Sequence, residues 1–132
     1  MKKHHIVGDT ITLEFTVKPS DVASFNGEDV HPFYATFALG RDVEWTCRQF
    51  VLNEKDADEE GIGTFLNIKH QSPAMLHDTV KIEAQIIRYE GNTLDCSYTV
   101  KIGDRIVASG EQGQKILKKE KVERLIAAVQ NQ

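Results

Sequence analysis

His31-Pro-Phe-Tyr-Ala-Thr-Phe-Ala-Leu-Gly-Arg-Asp-Val-Glu-Trp-Thr-Cys-Arg-Gln-Phe-Val-Leu52 is the segment whose length and apolar content together ask for a central helix. Phe33, Phe37, Leu39, Val43, Cys47, Phe50 and Val51 recur at three- and four-residue spacings and cover more than half of a helix circumference. Pro32 suits the first turn of such a helix, where its missing N–H goes unneeded and its φ is already helical. A helix this apolar needs cover on several sides. It also carries Glu44, immediately before the only tryptophan, Trp45. That carboxylate either escapes to an edge of the core or is held within it for chemistry.

The flanking segments read as the cover. Thr10 to Val17 alternates, with Ile11, Leu13, Phe15 and Val17 on one face, and predicts a strand with one dry side. Val22 to Val30, which contains Asn26-Gly27, reads as a loop or short helical turn. Asn53 to Gly61 reads as a solvated acidic connection. A strand follows in which Ile62, Thr64, Leu66, Ile68 and His70 share a face, and Pro73 closes it. Thr79 to Tyr89, Thr93 to Ile102 and Arg105 to about Leu117 complete an expected four-strand meander. The turns are Glu90-Gly91-Asn92 and Gly103-Asp104, and Gly110 and Gly113 mark a bulge or a close backbone approach. A C-terminal helix over about 118–130 has Val122, Leu125, Ile126 and Val129 as its dry stripe. The sum is an α+β chain, one curved antiparallel sheet wrapped around a long helix, which is the hotdog architecture.

Composition narrows the function classes. At 132 residues the chain is expected to be a single domain over 1–132, with its core at about 8–118. A net charge of −4 argues against nucleic-acid binding. No apolar run approaches the length of a membrane span. Cys47 and Cys96 fall on apolar positions without metal spacing and read as buried free thiols, which suits the cytoplasm. The amino-terminal Met-Lys-Lys-His-His lacks a signal peptide's apolar stretch. His4, His5, His31 and His77 lack ligand spacing, so no metal is expected.

Tyr34-Ala35-Thr36, with Glu44-Trp45-Thr46-Cys47 eight residues on, resembles the central-helix motif of the fluoroacetyl-CoA thioesterase family. The resemblance continues through Ile62-Gly63-Thr64, His70-Gln71-Ser72-Pro73 and Ala108-Ser109-Gly110, over roughly residues 8 to 118. It implies a homodimer, or a dimer of dimers, that hydrolyses an acyl-CoA thioester, with CoA as part of the substrate and no separate cofactor. It also implies Thr36, Glu44 and His70 as the catalytic set, with Gly63, Tyr34 and Pro73 beside the substrate. Two departures stand out. The family's lid phenylalanines fall here on Gly27 and Val30, and a His-Glu-Arg run found in relatives is replaced by Gln112-Gly113-Gln114. Thioester hydrolysis of a short or medium acyl group carries over; the fluorinated substrate does not.

The chemistry is coherent on its own terms. Hydrolysis needs a base or nucleophile, a proton for the departing thiolate and donors for the developing oxyanion. A buried Glu44 would have its pKa raised into a useful range as base or nucleophile. His70 can orient it or deliver the proton. Thr36 can hold the carbonyl or the water beside free helix N–H groups. Each residue also has a plainer reading: Glu44 paired with Arg41 or Arg48, Thr36 as a helix cap, His70 as an edge-of-core histidine. Spacing adds a constraint. Eight residues on one helix separate Thr36 and Glu44 by about 12 Å along the axis and roughly 80° around it. Either a histidine bridges them, or the helix starts after Thr36, or two subunits contribute, the last being the arrangement we favour. An acyl-binding module without turnover and a hotdog dehydratase are the competing readings.

Overall fold

The computed structural model describes residues 1–132. Its sheet runs in the order β1 (Thr10–Thr16), β6 (Thr79–Glu90), β7 (Thr93–Ile102), β8 (Arg105–Lys118), β4 (Glu59–Leu66), antiparallel throughout, with the two-residue β5 (Lys69–His70) also on β8. The curled sheet wraps helix α1 (Thr36–Glu54), and α2 (Lys119–Gln130) ends the chain. This is the hotdog architecture. The expected four-strand meander is only three strands long: β6, β7 and β8 follow one another, while β4 crosses to the far edge and pairs β8.

The sheet's dry face is legible as alternation. Val80, Ile82, Ala84 and Ile86 of β6 and Leu94, Cys96, Tyr98 and Val100 of β7 are buried, their neighbours mostly not. Against them α1 seats Ala38, Leu39, Val43, Cys47, Phe50 and Val51, each without solvent exposure. Fully burying one such large side chain is worth about 1.5–3 kcal/mol. The two thiols are free and buried.

Five expectations need correction. The helix begins at Thr36, not at Pro32: residues Glu28–Tyr34 form strand β3, paired with β2 (Val22–Phe25) across a turn at Asn26-Gly27. Both turn residues have positive φ, 54° and 82°, the geometry of a tight two-residue hairpin. Pro32 fits there because the register shift leaves it without a cross-strand partner, and the residue before a proline is biased to extended backbone. Phe33 therefore leaves the helix, and Phe37 lies on its solvent side.

The acidic connection is not all solvated. Glu54 and Glu59 are buried, and β4 starts at Glu59. Glu54 accepts the N–H groups of His4 and His5, at 2.7 and 3.0 Å, and the Tyr89 hydroxyl at 2.6 Å. The acidic trio Asp56, Asp58 and Glu59 is compensated by the Met1 ammonium and Lys118.

The strand expected over Ile62 to His70 is broken. A register shift between Gly63 and Phe65 interrupts its alternation, and beyond it the Asn67 carbonyl accepts the Tyr98 hydroxyl at 2.7 Å and its side-chain Oδ1 accepts the Glu111 N–H at 2.9 Å. Gly110 and Gly113 allow these approaches: a Cβ would lie 2.2 Å from the Asn67 carbonyl at the first and 2.3 Å from the Phe65 ring at the second. Finally, α2 buries nothing, and Leu125, Ile126 and Val129 of its apolar stripe are about half exposed or more.

Glu54 ties stability to acid. Burial works to raise its carboxyl, but the Tyr89 hydroxyl and the two backbone N–H groups outweigh it and hold the group below the usual range. A depressed carboxyl contributes stability above its unfolded value, near 4.3, and loses it as pH falls through the lower folded value. Glu54→Ala should therefore cost about 2–4 kcal/mol at neutral pH. In urea titrations the wild type should lose more stability than the variant between about pH 5 and pH 3. Parallel pH dependence in the two proteins would remove Glu54 from this role.

Candidate active site

The chain turns from β3 into α1 at Ala35, whose extended backbone occupies the cap position and whose methyl cannot cap. Thr36 is the first helical residue and does not cap either. Its Oγ1 instead lies 2.8 Å from Nε2 of His70. The helix N-terminus is thus left without a side-chain cap beside a hydroxyl–imidazole pair.

His70 arrives from the other direction, on β5, paired with Ala108 of β8. The segment after it is stitched to β8: the Gln71 and Ser72 N–H groups donate to the Val107 carbonyl at 2.8 and 3.2 Å, and Ser72 Oγ donates to the Ile106 carbonyl at 2.6 Å. Arg105 binds Ser72 Oγ and the Pro73 carbonyl, each at 2.7 Å. Beyond Pro73, the Ala74 carbonyl accepts the Tyr34 N–H at 2.8 Å, which joins the histidine's loop to the strand that leads into Thr36.

Thr36, His70, Tyr34 and Pro73 all line one pocket of about 800 Å³ under the β2–β3 hairpin. Glu44 does not. It is exposed, two turns along the helix from Thr36, and pairs with neither arginine, because Arg41 is taken by Asp21 and Asp42 and Arg48 by Glu60. Phe37, Trp45 and Leu52 share its side of α1 and are also exposed, at 59%, 50% and 37%. Because α1 starts at Thr36, the possibility that the helix begins after it is removed, and His70 makes no contact that bridges the two residues. Gly63 stands on β4 opposite Gln114, away from the pocket, with open space where a Cβ would go. The buried cysteines lie off the pocket, and Cys96 together with burial pushes the Cys47 thiol far above its usual range.

One part of the site went unread in the sequence. Asp42 and Asp21 are buried, at 5% and 2% exposure, and share Arg41, whose Nε and Nη2 reach them at 3.0 Å. The Tyr34 hydroxyl donates to Asp42, and Ala35 N–H donates to the Asp21 carbonyl at 2.8 Å. Burial, and then Asp42, hold the Tyr34 phenol protonated well above its ordinary range. The signal was available: an aspartate at i+4 from Ala38 and i−4 from Thr46 sits on the dry stripe of α1 and must find partners there. The network fixes both residues that precede Thr36.

Asp42→Ala leaves the Tyr34 hydroxyl without its acceptor and Arg41 without one of its two carboxylates. It should cost about 1.5–3 kcal/mol, read as a lower urea midpoint at unchanged slope. The double variant Tyr34→Phe with Asp42→Leu, which removes both buried polar partners, should recover part of that loss. No recovery would mean that the pair is not the source.

Comparison with known proteins agrees with this fold. The family profile for fluoroacetyl-CoA-specific thioesterase matches residues 17–120. No curated protein matches the chain. Among solved structures, a thioesterase superfamily member from Thermus thermophilus superposes with a TM-score of 0.88 at 27% identity, over 96% of this chain and 93% of its own. The fluoroacetyl-CoA thioesterase FlK superposes at 0.86 with 20% identity, over 96% and 98%. A hot-dog-like protein from Thermanaerovibrio acidaminovorans does so at 0.82 with 21% identity, over 92% and 90%. With the profile matching most of its length and the fold in agreement, the chain belongs to the fluoroacetyl-CoA-specific thioesterase family.

Proposed function

We propose that this protein hydrolyses an acyl-CoA thioester in a site shared between two copies of the chain. The observation that carries the reading is the 2.8 Å Thr36–His70 pair on the wall of a pocket large enough for a ligand. A neighbour supports the ligand class: a variant of FlK has been crystallised with fluoroacetate and CoA.

In this mechanism the thioester carbonyl lies at the start of α1, where uncapped helix N–H groups favour developing negative charge. Thr36 Oγ1 positions the attacking water or the carbonyl. Glu44 of a second copy takes a proton from that water, whose oxygen adds to the carbonyl carbon. The C–S bond then breaks, and His70 delivers a proton to the departing thiolate, giving a free acid and CoA-SH. Gly63 is assigned a place beside the acyl group only in that assembled pair.

An exclusion supports the shared site. Thr36 and Glu44 belong to one regular helix, and about 12 Å of rise keeps them apart within a chain. Association is favoured by the exposed apolar side chains that flank Glu44 and by the sheet edge at β4.

Thr36→Ala, His70→Ala and Glu44→Ala should each lower turnover by about 10²–10⁴ without unfolding the protein, measured as thiol release from acyl-CoA. Wild-type rates in His70→Ala would discard the site. Mixing the Thr36→Ala and Glu44→Ala proteins under subunit exchange should restore roughly a quarter of wild-type activity, since half the dimers are mixed and one of their two sites is intact. Activity that stays at the level of the single variants would show that both residues act within one chain.

A further inference from the structure

We propose that Gln112 and Gln114 are specificity residues for the acyl group, bonding a hydroxyl substituent on it from the copy that supplies Glu44. The inference rests on the shared-site reading for the place of Gly63 beside the acyl group. The burial and pairing of the two amides belong to one chain and need no second copy. Both side chains stand on the dry face of β8. Gln112 lies across from Cys96 and Leu66, Gln114 from Leu94 and Gly63, and they are only 2% and 3% exposed. Gln114 Nε2 donates to Gln112 Oε1 at 3.2 Å, and neither amide has another protein partner. That one bond leaves Gln114 Oε1 as a free acceptor and Gln112 Nε2 as a free donor. Such groups among apolar neighbours are costly unless something bonds them. No polar side-chain atom of the chain is fully enclosed without a partner, so these two retain contact with an open space.

Strand β4 provides that space. A Cβ on Gly61 would lie 2.6 Å from Val51 Cγ1, so strand and helix press together there. They meet again nearer the start of α1, where a Cβ on Gly40 would lie 3.3 Å from Leu66 and 3.4 Å from Ile68. Gly63 falls between these contacts, on the same face as Gly61, and a Cβ there would meet nothing within 4 Å. Helix and strand therefore part over Gly63, directly opposite Gln114. The Gly61 contact also includes Arg48 Nη1 at 3.5 Å, and Glu44 lies one turn before Arg48, towards the gap. Bare backbone, a donor–acceptor pair and the proposed base thus converge on one recess. A hydroxyl complements it, because it donates to Gln114 Oε1 and accepts from Gln112 Nε2, whereas an alkyl chain leaves both unbonded.

Ligands that differ by one hydroxyl test this. Calorimetry with the thioethers S-butyl-, S-(2-hydroxybutyl)- and S-(3-hydroxybutyl)-CoA reads the subsite without turnover. Thiol release from butyryl-, 2-hydroxybutyryl- and 3-hydroxybutyryl-CoA reads it with turnover. In the wild type one hydroxylated thioether should bind about tenfold more tightly than S-butyl-CoA. Gln112→Met combined with Gln114→Met keeps side-chain length and removes both amides. It should cut that affinity ratio, and the matching ratio of kcat/KM, about tenfold. Intrinsic differences in thioester reactivity cancel between the two proteins. Gly63→Ala, whose methyl enters the gap without touching its own chain, should lower both ratios in the same direction. Equal binding of plain and hydroxylated thioethers by the wild type, or ratios unchanged in a folded double variant, would overturn the inference and leave the amides holding water alone. A thioether preference that the double variant abolishes, with no thiol release from any thioester, would uphold the subsite and overturn the hydrolase reading instead.

Discussion

Helix α1 can bury one side of itself and only one, and the rest of the molecule is arranged around that fact. The curled sheet offers a continuous apolar surface from β6, β7 and β8, and Leu39, Val43, Cys47 and Phe50 settle into it without residual exposure. Close packing of this kind sets the helix's position along its axis and its rotation about it. Rotation decides function here. It turns Asp42 inward to meet Tyr34 and Arg41, and it turns Glu44, Trp45 and Phe37 outward.

The helix start is fixed with similar rigour. Backbone and side-chain bonds converge on Tyr34 and Ala35 from Ala74, Asp21 and Asp42. Thr36 is consequently presented by backbone that has little freedom, and His70 is brought to it by a strand fragment sewn onto β8. A hydroxyl–imidazole pair so supported keeps its geometry without relying on flexible side chains. The same economy leaves the opposite side of α1 uncovered. Phe37, Trp45 and Leu52 around an unpaired glutamate form a surface better suited to a second copy than to water, which agrees with the shared site proposed above.

Much of this was legible residue by residue. Alternation in Val80 to Ile86 and Leu94 to Val100 reports directly which side of a strand is dry, so β6 and β7 read cleanly. The glycines at 110 and 113 announced a close approach, and Asn67 and Phe65 are what approach. The segment from Val22 to Tyr34 was misread for a physical reason. Its strands are short and partly polar, and Pro32 with two phenylalanines beyond it imitates a helix start unless the bias that proline imposes on His31 is given more weight. Glu54 was misread because a buried carboxylate is recognisable only through its partners. Those partners, His4, His5 and Tyr89, lie some 50 and 35 residues away in the chain.

Sequence by itself determined the class of fold and the identity of the central helix, because hydrophobic period is a local property, while Thr36, Glu44 and His70 stood out as the set that its family resemblance implies. Only the tertiary structure decided that Thr36 touches His70 while Glu44 faces away, that Gly63 lies off the pocket, and that Asp42 is a buried support. Those outcomes depend on helix rotation and strand crossing, and both are set by packing between segments that the order along the chain does not bring together.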